Sequence, residues 1–99
     1  TPDRPLEDYR EAVIQAAFNA LTAARNTLKE GERIVQILSL TVYLNASPDY
    51  TTHAKVGDIA SNWLYEQLGE AGVGPRAAIG VATLPGNAPV EIQLVAAAG

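Results

Sequence analysis

One segment governs what this chain can fold into. Residues 33–44, RIVQILSLTVYL, are dense in β-branched and aliphatic side chains, the composition of a strand. Alternate residues of a strand face opposite ways. Ile34, Leu38, Leu40, Val42 and Leu44 therefore share one side, and Val35, Ile37, Ser39, Thr41 and Tyr43 the other. Both sides are largely apolar, which predicts a central strand covered on both faces.

Helices flank it. Leu6, Tyr9, Val13, Ala17, Ala20, Leu21, Ala24 and Leu28 recur every three or four residues without Gly or Pro, predicting a helix over 6–30 that Gly31 stops. Val56, Ile59, Ala60, Trp63, Leu64 and Leu68 predict a second helix over about 50–69, with Asp49, Thr51 or Thr52 as its cap. Between the central strand and this helix, residues 45–49 form a turn cluster. Gly69 to Pro75 reads as a loop. Residues 76–83 and 89–97 read as strands, with Leu84-Pro85-Gly86-Asn87-Ala88 as a hairpin connection between them. The order α-β-α-β-β gives an α+β domain over 6–99, preceded by a tail or linker at 1–5. Three strands leave exposed edges, so further sheet is expected from another segment or another copy.

The 99 residues carry a net charge of −4, with 47% hydrophobic and 18% charged side chains. This is a globular composition, and its acidity disfavours nucleic acid or anionic lipid as a partner. There is no cysteine and one histidine, which excludes disulfides, thiol catalysis and Cys-ligated metal. No apolar stretch reaches the roughly 18 residues of a membrane span, and no targeting signal is evident, so a cytoplasmic location is expected. Methionine is absent; the protein has been processed, or begins elsewhere. An N-terminal threonine can be a nucleophile, but Pro2 and the tail-like context of Thr1 favour a truncated or cleaved chain.

Two residues stand out as candidates for chemistry. Arg76 opens a strand beside the small residues Ala77, Ala78 and Gly80, and its fork fits a carboxylate bidentately. A structural arginine at a strand end is the alternative. Glu91 faces away from Val90, Ile92 and Leu94 and could orient or deprotonate a water; a solvated position on an edge strand is the alternative. In a tight hairpin Glu91 would face Ala82, leaving Arg76 about 20 Å away, so acting together would require two copies of the chain. His53 has no evident partner, Trp63 reads as core or interface, and Asn45 and Asp49 read as turn and cap residues. Ser39, Thr41, Thr51 and Thr52 have no base at a recognisable spacing.

The C-terminal half resembles the Rid family, also called YjgF or reactive intermediate/imine deaminase A. The resemblance is carried by Ile37–Leu44 followed by Asp49-Tyr50, by Gly74-Pro75-Arg76 through Leu84-Pro85, and by Val90-Glu91-Ile92. It covers roughly residues 10–97, and the R…LP…VEI spacing is its most specific part. It implies a chorismate-mutase-like homotrimer with sheets wrapped into a central barrel, helices outside and sites between subunits. It also implies hydrolysis of imines or enamines of small acids to keto acids and ammonia, with no cofactor or metal. By position, Arg76 matches the arginine that clamps the substrate carboxylate and Glu91 the glutamate that positions water. A backbone N–H or C=O near Ala78 would hold the reacting group.

The departures are specific. The family's N-terminal strands, which supply a tyrosine and a serine or glycine, have no counterpart here; either a separate N-terminal fragment completes the sheet, or the chain is a piece of a longer protein. Ala78 stands where many members have cysteine, and Ala54 where many have asparagine. These departures favour, as the alternative function, a non-catalytic trimer that binds a small carboxylate. An endoribonuclease reading, an old label of the family, lacks a basic stripe with stacking aromatics.

Overall fold

The computed structural model describes residues 6–46 and 50–99. The tail at 1–5 and the candidate cap Asp49 lie outside the described residues. The order is α1 (Leu6–Arg25), β1 (Ile34–Asn45), α2 (His53–Leu68), β2 (Arg76–Val81) and β3 (Val90–Ala98). The α+β class and the α-β-α-β-β order are those expected. No helix among the described residues is long and apolar enough to cross a membrane.

Helix α1 ends earlier than its apolar pattern suggests. The Thr27 hydroxyl donates to the Ala24 carbonyl at 2.7 Å, and the Thr27 and Leu28 amides donate to Ala24 and Arg25 in tighter turns. Such local side-chain bonds compete with the helical ladder. Its face of Tyr9, Val13, Ala17 and Leu21 is buried. Helix α2 begins at His53, later than expected, and Thr52 makes no side-chain cap bond. It buries Val56, Gly57, Ile59, Ala60 and Leu64. At about 1.5–3 kcal/mol for each large apolar side chain removed from water, these two stripes are the main attachment of the helices to the sheet.

The sheet order is β2-β1-β3, so β1 is central as its sequence requires. Its neighbours are not the expected hairpin: β1 pairs β2 in parallel and β3 antiparallel. The β1-α2-β2 unit explains this, because strands joined through a helix come to lie parallel. The chain from Ala82 to Pro89 then passes over the end of β1 to reach its other side. Asn45, only 3% exposed, pins that passage: its side-chain amide donates to Asn87 Oδ1 and to the Ala88 carbonyl, both at 3.2 Å. Gly86 and Asn87 both take positive φ within it.

The faces of β1 also differ from simple alternation. Register shifts between Ile34 and Gln36 and between Ile37 and Ser39 insert extra residues. Ile34, Ile37, Leu40, Val42 and Leu44 consequently all face the helices and are buried, whereas Val35 and Leu38 are turned out. Only one face of β1 is covered by the described residues. The other exposes Leu38, Ile79 and Val95, and β2 and β3 each have one unpaired edge among the described residues.

Candidate functional site

Arg76 pairs with Leu40 in the parallel ladder and so shares its helix-covered face. Small residues let α2 lie close to β2 there. A Cβ on Gly57 would come within 3.1 Å of Arg76 Cζ and Nε and 3.2 Å of the Ala78 methyl. The guanidinium thus lies against a gap left by a mid-helix glycine. This helix fills part of the space beside Arg76.

The guanidinium has an internal partner. Arg76 Nη1 donates to Asp58 Oδ1 at 2.6 Å and to Ser61 Oγ at 3.3 Å. The Arg76 side chain is 22% exposed and that of Asp58 61% exposed. Nε and Nη2 make no hydrogen bond within the described residues. Neither Asp58 nor Ser61 stands out in the sequence. The available signal was the crossover geometry, which lays the Gly57–Ser61 turn of α2 on the strand that Arg76 opens.

A cleft of about 480 Å³ opens beside this group. Ile37 and Leu40 form its floor, Tyr65 and Val73 its walls, and Ser61, Asn62 and Arg76 its polar rim. Close approaches set its shape. Gln36 Nε2 donates to the Val73 carbonyl at 2.5 Å and to that of Ile37 at 3.0 Å. A Cβ on Gly72 would lie 2.5 Å from the Leu64 carbonyl oxygen, so only glycine lets this loop sit against α2.

Ala78 pairs with Val42 and faces α2, two residues beyond Arg76 on the same side. The Leu40 amide donates to Pro75 and that of Ala46 to Val81. In a parallel ladder alternate residues of one strand bond its neighbour, so residues 75, 77, 79 and 81 direct their peptide groups at β1. The N–H and C=O of Arg76, Ala78 and Gly80 point instead to the open edge of β2.

Glu91 pairs with Tyr43, an odd number of residues from Leu40, and is exposed on the opposite face of the sheet. Its neighbours there include Gln93, whose side-chain oxygen accepts from the Tyr43 hydroxyl at 3.2 Å. Arg76 and Glu91 are three residues apart along β1 and two strands apart across the sheet, about 14 Å between Cα atoms. This replaces the separation of about 20 Å expected from a hairpin. The structure of one chain does not bring the two together.

His53 lies on the same α2–β2 seam as Arg76, a proximity that sequence did not suggest. A Cβ on Gly80 would be 2.6 Å from its Nε2, and its ring meets that of Tyr50 edge-on at 5.3 Å. Trp63 is half-buried between the helices, 6.4 Å from Phe18. Ser39 and Thr41 lie on the open face with Tyr43.

No family model matches the chain. A curated relative, "Protein TCP17" of Trypanosoma cruzi, is 32% identical over 78 residues, covering 78% of this chain and 49% of its own length. Among solved structures, the protein Atu1372 of Agrobacterium tumefaciens, described as of unknown function, is 32% identical with a TM-score of 0.83. A "putative endoribonuclease" of Shewanella oneidensis MR-1 is 29% identical with a TM-score of 0.85. Both matches cover 95% of this chain, but 60% and 62% respectively of those proteins. The chain spans about half the length of the curated relative and about three fifths of the solved ones. At this similarity the chain has the α+β fold of its structural neighbours, a YjgF-type fold.

Proposed function

We propose that this chain belongs to a Rid-type hydrolase that converts an imine or enamine of a small carboxylic acid to a keto acid and ammonia. The observation that carries this reading is the Arg76 guanidinium at the rim of a cleft, beside outward-facing peptide groups of Arg76 and Ala78. Arg76 binds the substrate carboxylate. The N–H or C=O of Ala78 holds the reacting nitrogen-bearing group by a hydrogen bond to its nitrogen. An enamine first takes a proton from water on its β-carbon and becomes the imine. Glu91 then directs a water at the C=N carbon, and the carbon–oxygen bond forms. The nitrogen takes up the proton that the water loses, and collapse of the carbinolamine breaks the carbon–nitrogen bond and releases ammonia.

Glu91 reaches this site from a neighbouring copy, in a homotrimer with sites between subunits. Two features support the arrangement. Arg76 and Glu91 occupy opposite faces of the sheet in one chain, and the face bearing Glu91 carries the exposed Leu38, Ile79 and Val95, apolar surface of the kind buried between subunits. The reading requires no metal or cofactor and places the protein in the cytoplasm.

A second reading is a non-catalytic trimer that binds a small carboxylate. The Asp58–Arg76 pair favours it, as do Ala78 and Ala54, which stand where many Rid proteins have cysteine and asparagine. The name of the Shewanella protein brings in RNA cleavage, against which stand the net charge of −4 and the placement of the sole histidine over Gly80. The deciding assay is ammonia release from enzymatically generated 2-aminoacrylate. Hydrolysis reduced at least a hundredfold by Arg76→Ala supports the first reading. Carboxylate binding without turnover selects the second, and RNA cleavage that survives Arg76→Ala overturns both.

A further inference from the structure

We propose that Tyr43 is the second acceptor for the attacking water: its phenol oxygen and the Glu91 carboxylate hold that water's two hydrogens, and Gln93 keeps the phenol turned so that it accepts. The proposal deepens the hydrolase reading and rests on it.

The placement comes from the β1–β3 ladder. Tyr43 stands directly opposite Glu91, and Thr41 directly opposite Gln93. The four side chains leave the open face of the sheet as two adjacent cross-strand pairs. The register shifts of β1 lie before Ser39, so this stretch of the ladder is regular. Glu91 and Gln93 are about 7 Å apart along β3. The Tyr43 ring reaches diagonally across the pair, and its hydroxyl donates to Gln93 Oε1 at 3.2 Å. A hydroxyl held there lies within the span of one bridging water from the Glu91 carboxylate. Tyr43 is half-buried whereas Glu91 and Gln93 are exposed, so the ring is packed and the polar groups meet solvent.

The direction of this bond decides what the phenol can do. A tyrosine hydroxyl has one proton to donate and lone pairs that accept. The proton is committed to Gln93. What the phenol presents to a water beside Glu91 is therefore an acceptor, strengthened by the bond it donates. An ionised carboxylate is likewise an acceptor only. A water between the two donates one hydrogen to each, and its own lone pairs then point away from both, off the sheet face. A water held by Glu91 alone turns about a single bond. Two acceptors fix its orientation, which attack on a carbon requires.

The proton balance gives the two acceptors different parts. As the water oxygen bonds to the C=N carbon it loses one proton, which passes by way of Glu91 to the nitrogen. The phenol keeps its own proton and takes none. It holds the second hydrogen, which stays on the oxygen in the carbinolamine. Gln93 touches neither water nor substrate and is a positioning residue.

The test follows ammonia release from enzymatically generated 2-aminoacrylate by the full chain, with binding of the 2-oxo acid 2-oxobutyrate by calorimetry as a separate readout. Tyr43→Phe keeps the ring and removes the hydroxyl. It is expected to lower kcat about 10-fold, the scale of one hydrogen bond held in the transition state, while KM, 2-oxobutyrate affinity and assembly state stay parental. Gln93→Leu releases the phenol proton to turn towards the water. It is expected to lower kcat about 5-fold, and to have no further effect in the Tyr43→Phe background. Parental kcat in Tyr43→Phe, or a Gln93→Leu effect that persists without the hydroxyl, overturns the proposal and leaves the hydrolase reading in place. So does a loss of affinity or assembly in step with kcat, which marks a pair that merely braces the sheet. If the parent releases no ammonia, or Arg76→Ala leaves the release intact, the hydrolase reading falls and the proposal with it.

Discussion

Replacing Gly72 by alanine places a methyl group 2.5 Å from the Leu64 carbonyl oxygen, 2.8 Å from its carbon and 3.2 Å from the Tyr65 nitrogen. All three are backbone atoms of α2, so no side chain can swing away to make room. Either the 69–74 loop lifts from the helix or the end of α2 bends. Overpacking of this kind costs roughly 1–3 kcal/mol. Alanine returns about 0.4–1 kcal/mol by restricting the unfolded chain. The net loss is then about 0–2.6 kcal/mol, centred near 1.3 kcal/mol. For a domain of this size that central value lowers Tm by about 5–10 °C. Thermal and urea unfolding followed by circular dichroism measure it. Gly69→Ala is the comparison: its φ is +63° and nothing lies within 4 Å, so its cost is backbone strain alone, about 1–2 kcal/mol, and it leaves the contact between loop and helix in place. The two variants separate at the cleft, where Gly72→Ala displaces Val73 and weakens 2-oxo acid binding while Gly69→Ala does not. A Gly72→Ala protein as stable as the parent, with the cleft unchanged, refutes the close-packing argument.

Asn45→Ala removes two bonds from a buried side chain to the passage between β2 and β3 and is expected to cost about 1–3 kcal/mol in urea unfolding; a change within about 0.5 kcal/mol means that the passage holds without it. Leu38→Lys and Val95→Lys, each at a side chain 49% exposed on the open face, are expected to leave the unfolding of the single chain nearly unchanged and to shift the species seen by analytical ultracentrifugation from trimer towards monomer. A trimer that persists in both variants removes the open face from the assembly.

The fold was legible where one period dominates. The stripes of α1 and α2 and the β-branched density of β1 identified those three elements, and the apolar character of β1 identified it as central. Legibility failed where tertiary context overrode the local pattern. The Leu84–Ala88 turn residues suit a hairpin, but β1-α2-β2 had already placed β2 beside β1, and the chain had to cross to the other side. Simple alternation put Leu38 on the side of Leu40 and Ile37 on the other, with both sides covered; the register shift between Ile37 and Ser39 exchanges the two, and no residue in the segment announces it. Thr27 ended α1 through a hydroxyl bond that an apolar stripe does not reveal.

The candidate site divides in the same way. Arg76 was visible as a cation beside small residues, and Ala78 through its place two residues further along. Asp58 was not, because its role arises from an α2 turn laid across a strand 18 residues away. The second cover of β1, inferred from sequence, is absent from the described residues of one chain; in the proposed trimer it comes from a neighbouring copy.

The central claim, that Arg76 of one copy and Glu91 of the next share one site, is tested most directly by mixing subunits. Arg76→Ala and Glu91→Gln are each expected to be inactive in ammonia release from 2-aminoacrylate. When the two are co-assembled in equal amounts, a site works only if an intact arginine meets an intact glutamate across an interface, which occurs at about one quarter of the sites in a randomly mixed cyclic trimer. Recovery of about a quarter of the parental rate is the expected result. Mixed trimers, verified by mass, that remain as inactive as either variant alone would contradict the shared site.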